Sequence, residues 1–217
     1  RADERIHNVL IVSGYRNSDL IHYPNPRVRW MYYLAAGGAA CVVQRNCPGN
    51  EILESHFISD GSFAWDVYVP QGGSAEPMTS EGLKKGLQYL DVLDPAGMKE
   101  RLERLSLSNW LVCIDKALAK KSYTRADVDY LATLLVKRSA HDYLMEQLGL
   151  APEQTRYLEE FGHHGQNDQI LSLELAMEED RLREGDLVLM ISAGIGYAWG
   201  AVVMRWGRGP GSGERET

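Results

Sequence analysis

The sequence predicts an α/β fold, because segments typical of strands and segments typical of helices alternate along the chain. Short, continuous apolar runs, such as residues 9–12 and 187–192, indicate strands. Residues 98–121 instead place large apolar side chains three or four positions apart, which is the spacing of one helix face. Turn-forming Gly, Pro and Asp residues separate these segments, so the boundaries between elements are visible in the sequence.

In the first 69 residues the pattern predicts four strands and one irregular connection. Residues 9–12 form a continuous apolar run, as expected of a strand that is buried on both faces. Residues 37–43 enter a second strand through small side chains, which allow close backbone packing. A turn signal at Asp60-Gly61 links the two remaining strands, so we expect a hairpin or meander there. The predicted strands are 9–12, 37–43, 51–59 and 64–69, and residues 15–33 are predicted to be a loop with a short helix.

The rest of the chain is predicted to consist mainly of helices with strands between them. Asp94-Pro95 is a typical start signal for the long helix, and Gly149 is a typical end signal for the next one. A bend at residues 193–197 joins the last two strands, which we therefore expect to be antiparallel. After a loop at 70–79, the predicted helices are 98–121, 137–148 and 167–179, and the predicted strands are 128–131, 187–192 and 198–206. The Gly-rich residues 207–217 are predicted to be a flexible tail.

Composition limits the classes of function. The 217 residues suffice for one large domain or two small ones, and 44% of them are hydrophobic. A net charge of −7 disfavours a general nucleic-acid binder, which needs a basic face. Because no apolar run is long enough to span a membrane and the opening residues do not resemble a signal peptide, we expect a cytoplasmic protein without membrane association. The odd number and the spacing of Cys41, Cys47 and Cys113 fit neither a disulfide framework nor a zinc site.

The loop at residues 162–168, Gly-His-His-Gly-Gln-Asn-Asp, is the strongest candidate for a functional site. Two glycines enclose two histidines, and Asp168 follows His163 by five positions. A general base needs one free ring nitrogen and an acceptor for the other, which this spacing provides. The alternative is a polar turn in which Asp168 caps the next helix. We expect His164 to point away from His163, and we expect no metal site, because no further ligand lies nearby in the sequence.

The order of motifs resembles the β-ketoacyl-acyl carrier protein synthase III family of thiolase-fold condensing enzymes and acyltransferases. The closing Gly-Ile-Gly-Tyr-Ala-Trp-Gly at 194–200 is the most specific part of the resemblance. Residues 8–14 resemble the strand that follows the nucleophile helix of the family. Residues 34–40 resemble its Asp-Gly-Ala-Gly-Ala stretch, with the Asp absent. The resemblance covers nearly the whole chain and is best to the branch with a Gly-His-x-Gly-x-x-Asp motif.

The resemblance implies an α/β, thiolase-like fold with αβαβα layers. Residues 1–69 would be the end of the N-terminal half, and residues 70–206 would be the C-terminal half. The family's nucleophilic cysteine lies on a helix upstream of the first strand seen here, and none of the three cysteines occupies that context. We therefore expect this chain to lack the N-terminal part with the nucleophile. The expected assembly is a homodimer, or an association with the missing N-terminal segment.

The resemblance also assigns roles to particular residues. His163 would be the catalytic imidazole, at the position of the family's catalytic Asn, and Asp168 would hold its ring. The backbone N–H of Ile195 would help to form the oxyanion hole. Lys137 and Arg138 would contact the phosphates of coenzyme A or of a phosphopantetheine arm, the alternative being a solvated helix start.

One departure from the family bears on the reaction. The histidine of the family's Pro-His-Gln-Ala-Asn stretch would fall at Leu134, so it is missing. The expected function is synthase III-like acyl transfer or condensation from an acyl-CoA or an acyl carrier protein thioester, in fatty acid or polyketide-type biosynthesis. No cofactor is expected beyond the coenzyme A or phosphopantetheine thioester that serves as substrate. The alternative is a non-catalytic subunit that complements a heteromeric synthase.

Overall fold

A computed structural model describes residues 3–207, and within this range the chain alternates helices and strands. The strands are β1 (Asn8–Tyr15), β2 (Gly37–Gln44), β3 (Glu51–Ser59), β4 (Val67–Tyr68), β5 (Asp91–Val92), β6 (Tyr130–Thr133), β7 (Leu187–Gly194) and β8 (Ala198–Arg205). The α-helices are α1 (Ser80–Lys85), α2 (Pro95–Ala119), α3 (Arg138–Leu148) and α4 (Asp168–Glu178). Residues 208–217, most of the predicted tail, lie outside the described range.

The central sheet has four strands in the order β3-β8-β7-β6. The predicted antiparallel pairing of the last two strands is confirmed, since β7 and β8 pair from Leu187↔Arg205 to Gly194↔Ala198. The predicted hairpin or meander is wrong, because β3 pairs with β8 rather than with the segment that follows it. Residues 61–63 form a 3-10 helix that buries Phe63, which is only 1% exposed. The strand predicted at 64–69 is reduced to β4, which pairs with β5 instead.

The two faces of the sheet carry different packing partners. Alternate residues such as Leu189 and Ile191 lie in one core cluster with residues of α2 and α3. Val188 points to the other face and packs with Leu173 and Ala176 of α4. This alternation is the two-residue period of a strand, and it produces an α–β–α arrangement.

The sequence signals for the helix ends are confirmed. The Asp94 side chain accepts a hydrogen bond from the backbone N–H of Gly97, and Pro95 opens α2. Gly149 ends α3 in the left-handed conformation, at φ +69°. Helix α1 was not predicted, because its six residues are too few to show a clear period.

The first apolar run forms the predicted strand, but its predicted burial is wrong. Strands β1 and β2 make a separate two-stranded antiparallel ribbon. The side chains of Val9, Leu10, Ile11 and Val12 are between 45% and 69% exposed. Within the described residues β1 pairs only with β2, and the loop around residues 164–166 packs only on the end of the ribbon at Ser13, Tyr15 and Gly37, so residues 9–12 stay uncovered. The division of the chain at residues 69 and 70 stays a prediction.

Candidate active site

His163 and Asp168 form a short, buried contact, with 2.6 Å between His163 Nδ1 and Asp168 Oδ2. The His163 side chain is 14% exposed and the Asp168 side chain is fully buried. The carboxylate also accepts hydrogen bonds from the backbone N–H groups of Leu135 and His164, at 2.7 Å each. Asp168 therefore links the segment after β6 to the His163–His164 loop, and its side chain does not cap α4. A buried carboxylate that holds one ring nitrogen leaves the other available as a base.

Local backbone conformation brings the loop into place. Gly162 has φ +77°, and an ideal Cβ on it would lie 2.8 Å from the carbonyl oxygen of Tyr33. The backbone N–H of His163 donates to that same carbonyl at 2.8 Å, and the backbone N–H of Ala35 donates to the carbonyl of His163 at 2.9 Å. The loop is thus hydrogen-bonded to residues 33–35, and only glycine at 162 permits this approach.

His164 lies on the other side of the loop, against β2. An ideal Cβ on Gly37 would lie 2.6 Å from Cδ2 of His164, so the ring occupies space that only a glycine leaves open. Its Nδ1 is 3.8 Å from Asp168 Oδ1, beyond hydrogen-bond distance. His164 is therefore packed into the fold, whereas the neighbouring His163 reaches the cavity described next.

An open cavity of about 630 Å³ connects the two ends of the predicted site. Both His163 and Ile195 line it, so the structure brings together the predicted base and the predicted oxyanion position. Met190, Val202 and Phe57 provide an apolar floor from β7, β8 and β3. In a strand, residues two positions apart point to the same face of the sheet. Met190 therefore shares a face with Val188, and Val202 shares it with Met204, so this floor belongs to the sheet face that α4 packs against.

Ile195 lies in the bend after the last β7–β8 pair, Gly194↔Ala198. Its side chain is 52% exposed, and its backbone N–H has no hydrogen-bond acceptor within residues 3–207. The bend is fixed by two backbone hydrogen bonds between Asp60 and Tyr197, at 2.7 and 2.8 Å. A rigid bend with an uncommitted N–H is the kind of group that stabilises an oxyanion.

Lys137 and Arg138 lie outside this cavity. The Arg138 guanidinium stacks over the ring of Tyr157 at 3.7 Å and forms an ion pair with Glu159 at 3.2 Å. Lys137 is exposed at the start of α3. The structure therefore engages Arg138 within the fold and leaves Lys137 accessible to an anion.

Two family models match separate parts of the chain. Residues 1–61 match the model of 3-oxoacyl-[acyl-carrier-protein] synthase III, and residues 118–206 match the model of the C-terminal part of the same family. The two matches follow each other in the order expected of that family.

The chain is a synthase III-like protein of the thiolase fold.

Curated relatives of this synthase III-like protein carry the same family name. The β-ketoacyl-[acyl-carrier-protein] synthase III of Symbiobacterium thermophilum is 30% identical over 200 residues, which are 92% of this chain and 58% of the relative. The enzyme of the same name from Syntrophomonas wolfei is 29% identical over 177 residues, which are 79% of this chain and 51% of the relative. The chain thus spans between half and three-fifths of the length of these relatives.

Solved structures confirm the thiolase-like fold. The synthase III of Pseudomonas aeruginosa PAO1 superposes with a TM-score of 0.76 at 17% identity, covering 94% of this chain and 60% of that one. The Thermus thermophilus synthase III gives a TM-score of 0.72 at 24% identity, covering 93% and 60%. The priming β-ketosynthase of the R1128 polyketide pathway gives 0.73 at 18% identity, covering 94% and 58%.

Position 134, to which the resemblance assigns a second histidine, carries a leucine in this synthase III-like chain. Leu134 is 7% exposed and apolar, so it supplies no second imidazole. The next residue, Leu135, contributes its backbone N–H to Asp168 instead. Sequence reasoning missed this contact because the side chain of Leu135 carries no polar group that would draw attention to it.

Two further observations concern the described residues as a whole. Within residues 3–207, none of the helices combines the length and the apolar composition needed to cross a membrane. In the same part of the chain, no group of three or more His, Cys, Asp and Glu side chains is arranged to hold a metal ion.

Proposed function

We propose that this chain supplies the base and the oxyanion position of a synthase III-like acyltransferase. The acyl donor would be an acyl-CoA or an acyl carrier protein thioester, in fatty acid or polyketide-type biosynthesis. The observation that carries the proposal is the shared cavity, in which His163, supported by buried Asp168, faces the same space as Ile195. No cofactor is needed, because the thioester itself is the activated substrate.

The mechanism follows from the two ends of the cavity. With Nδ1 bound to Asp168, Nε2 of His163 accepts the proton of a cysteine thiol, and the thiolate forms a bond to the thioester carbonyl carbon. The backbone N–H of Ile195 stabilises the resulting oxyanion. Collapse of the tetrahedral intermediate breaks the carbon–sulfur bond of the donor. The departing thiolate takes the proton back from His163, which leaves an acyl-cysteine for transfer to the acceptor.

The cysteine would come from a segment or polypeptide other than the described residues. Cys113 is fully buried in the core, and burial raises the pKa of its thiol, which disfavours the reactive thiolate. Cys41 and Cys47 do not line the cavity. The apolar floor of the cavity and the exposed side chains of β1 support the proposal, because both are surfaces that a further layer of protein would cover.

The proposed assembly is a homodimer, or an association with the N-terminal part of a synthase. Strand β1 has eight residues and pairs with β2 along one edge, so its other edge offers backbone groups to a further strand. The proposed location is the cytoplasm, where coenzyme A and carrier protein thioesters are available. Exposed Lys137 is the better candidate for contact with their phosphates, since Arg138 is engaged with Tyr157 and Glu159.

Acyl transfer is favoured over decarboxylative condensation. Transfer requires a nucleophile, a base and an oxyanion hole, all of which the proposed arrangement provides. Condensation in the resembled family uses a second imidazole, and the resemblance assigns its position to buried Leu134. We therefore propose simple acyl transfer as the principal reaction.

The test replaces His163 by Ala in the complete synthase, meaning this chain together with the polypeptide that carries the cysteine. Labelling of the nucleophile by a radioactive acyl-CoA or acyl carrier protein is followed over time. Loss of the base is expected to slow labelling by about 100- to 10,000-fold. The matched control is His56→Ala, because His56 is a partly buried histidine of edge strand β3 that does not line the cavity. Equal labelling rates for the two variants would refute the proposed role.

A second candidate function is that of a non-catalytic subunit that completes a heteromeric synthase. The apolar side chain at Leu134 favours it, because one catalytic histidine of the family is absent. This candidate predicts that His163→Ala leaves acyl transfer unchanged while removal of the whole chain abolishes it. The same labelling experiment therefore separates the two functions.

A further inference from the structure

Tyr15, the last residue of β1, lies at the cavity together with His163. The centroids of the two rings are 5.8 Å apart, with an angle of 58° between the planes. The side chain of Asn17 also lines the cavity on this side. The phenol group is therefore part of the cavity wall beside the predicted base.

The fold makes room for this ring at Gly165. Gly165 has φ +64°, and an ideal Cβ on it would lie 2.4 Å from Cδ2 and Cε2 of Tyr15. The loop that carries His163 thus packs directly on the phenol ring. Any larger residue at position 165 would displace Tyr15 from the cavity wall.

Two other polar side chains of the cavity lining are already engaged. The Gln166 amide donates to the hydroxyl of Ser13 at 2.6 Å, and the Gln169 amide donates to the carbonyl of Ile191 at 2.8 Å. Burial raises the pKa of Tyr15 above its ordinary value, the nearby side chain of Asn17 partly offsets the rise, and the charge of Asp168 adds to it. The phenol is therefore protonated at neutral pH and acts as a hydrogen-bond donor.

We propose that the Tyr15 hydroxyl donates a hydrogen bond to the acyl thioester bound in the cavity and stabilises negative charge that develops during transfer. The inference rests on the proposed acyl transfer and adds a third group to its site. Tyr15 remains neutral throughout and transfers no proton. It would supply from β1 a donor that the apolar side chain at Leu134 cannot supply.

Tyr33 provides a matched control. Its ring centroid is also 5.8 Å from that of His163, but Tyr33 does not line the cavity. The two tyrosines thus share the same distance to the imidazole and differ in their access to a bound substrate.

The experiment compares Tyr15→Phe and Tyr33→Phe in the complete synthase, with His163→Ala as the reference for the proposed function. Both phenylalanine variants keep the ring, so the melting temperature serves to check folding. We expect Tyr15→Phe to lower kcat for acyl transfer by about 100- to 1,000-fold with little change in KM, as for loss of one preorganised donor. Tyr33→Phe should stay within about twofold of the unsubstituted protein.

A fluorinated tyrosine at position 15 supplies a readout that packing alone would not move. Fluorine makes the phenol more acidic and hence a stronger donor, so the rate should change with phenol acidity at position 15 and not at position 33. Equal rates for Tyr15→Phe, Tyr33→Phe and the unsubstituted protein, with His163→Ala still defective, would overturn the inference alone. An equal loss in both phenylalanine variants would also overturn it. Full activity of His163→Ala would overturn the proposed function first.

Discussion

Replacing Asp168 by Asn is the most informative single change, because the carboxylate is fully buried and accepts three hydrogen bonds. An asparagine has one acceptor oxygen where the aspartate has two. In the better orientation this oxygen takes the place of Oδ2 and keeps the contacts with Leu135 N–H and His163. The amide NH₂ then faces the backbone N–H of His164, so two donors oppose each other.

The cost follows from these contacts. A buried N–H without an acceptor costs about 1–3 kcal/mol, and the retained bonds lose the extra strength that a charged acceptor gives them. We therefore expect Asp168→Asn to lower the free energy of unfolding by about 2–4 kcal/mol. Since domains are typically stable by about 5–15 kcal/mol, the variant should remain folded at 25 °C.

The assay is urea unfolding at pH 7, followed by tryptophan fluorescence. The matched control is Asp127→Asn, because the Asp127 carboxylate accepts a hydrogen bond from the backbone N–H of Thr124 at 2.7 Å but is exposed. We expect that control to lose about 1 kcal/mol or less. Equal losses for the two variants would refute the argument that burial of Asp168 determines the cost. In the complete synthase Asp168→Asn should also slow acyl transfer, since neutral Asn supports the imidazolium less well than a carboxylate.

Two further predictions concern stability. Gly162→Ala should lower the free energy of unfolding by about 3 kcal/mol, because position 162 combines a positive φ with a 2.8 Å approach of the new Cβ to the Tyr33 carbonyl. Gly149→Ala, at a positive φ but in open space, should lower it by about 1 kcal/mol. Equal losses in urea unfolding would contradict the argument from the close approach at Gly162. The second prediction concerns His141, whose pKa is lowered by burial and, to a smaller extent, by the charge of Arg138. The imidazole therefore binds a proton more readily in the unfolded chain than in the native one. The free energy of unfolding should consequently fall as the pH drops below about 6.5. His141→Gln should remove part of this dependence in urea unfolding measured between pH 5 and pH 8, and an unchanged slope would contradict it.

Much of the fold follows from local sequence. The start of α2 at Asp94-Pro95 and the end of α3 at Gly149 depend on residues adjacent to the element, so they could be predicted. The contact between His163 and Asp168 could be predicted for the same reason, because both residues belong to one short loop. Its proposed role in catalysis stays a prediction.

The rest of the candidate site depends on residues that are distant in the sequence. The N–H of Leu135 reaches Asp168, and the ring of Tyr15 packs on Gly165, only because the sheet and the ribbon bring separate segments together. Neither contact has a local pattern. A backbone donor exists at almost every residue, and an aromatic ring at the end of a strand has no preferred partner in sequence.

The alternation of helices and strands, the family resemblance and the loop that holds His163 can all be recognised from local patterns of residues. Long-range packing is what brings this loop to the same cavity as Ile195, pairs β3 with β8, and leaves the apolar strand β1 exposed. The physical reason is that hydrophobicity gives a strand the tendency to be buried, while burial itself requires a neighbouring surface. Which surface is present depends on the packing of the whole protein.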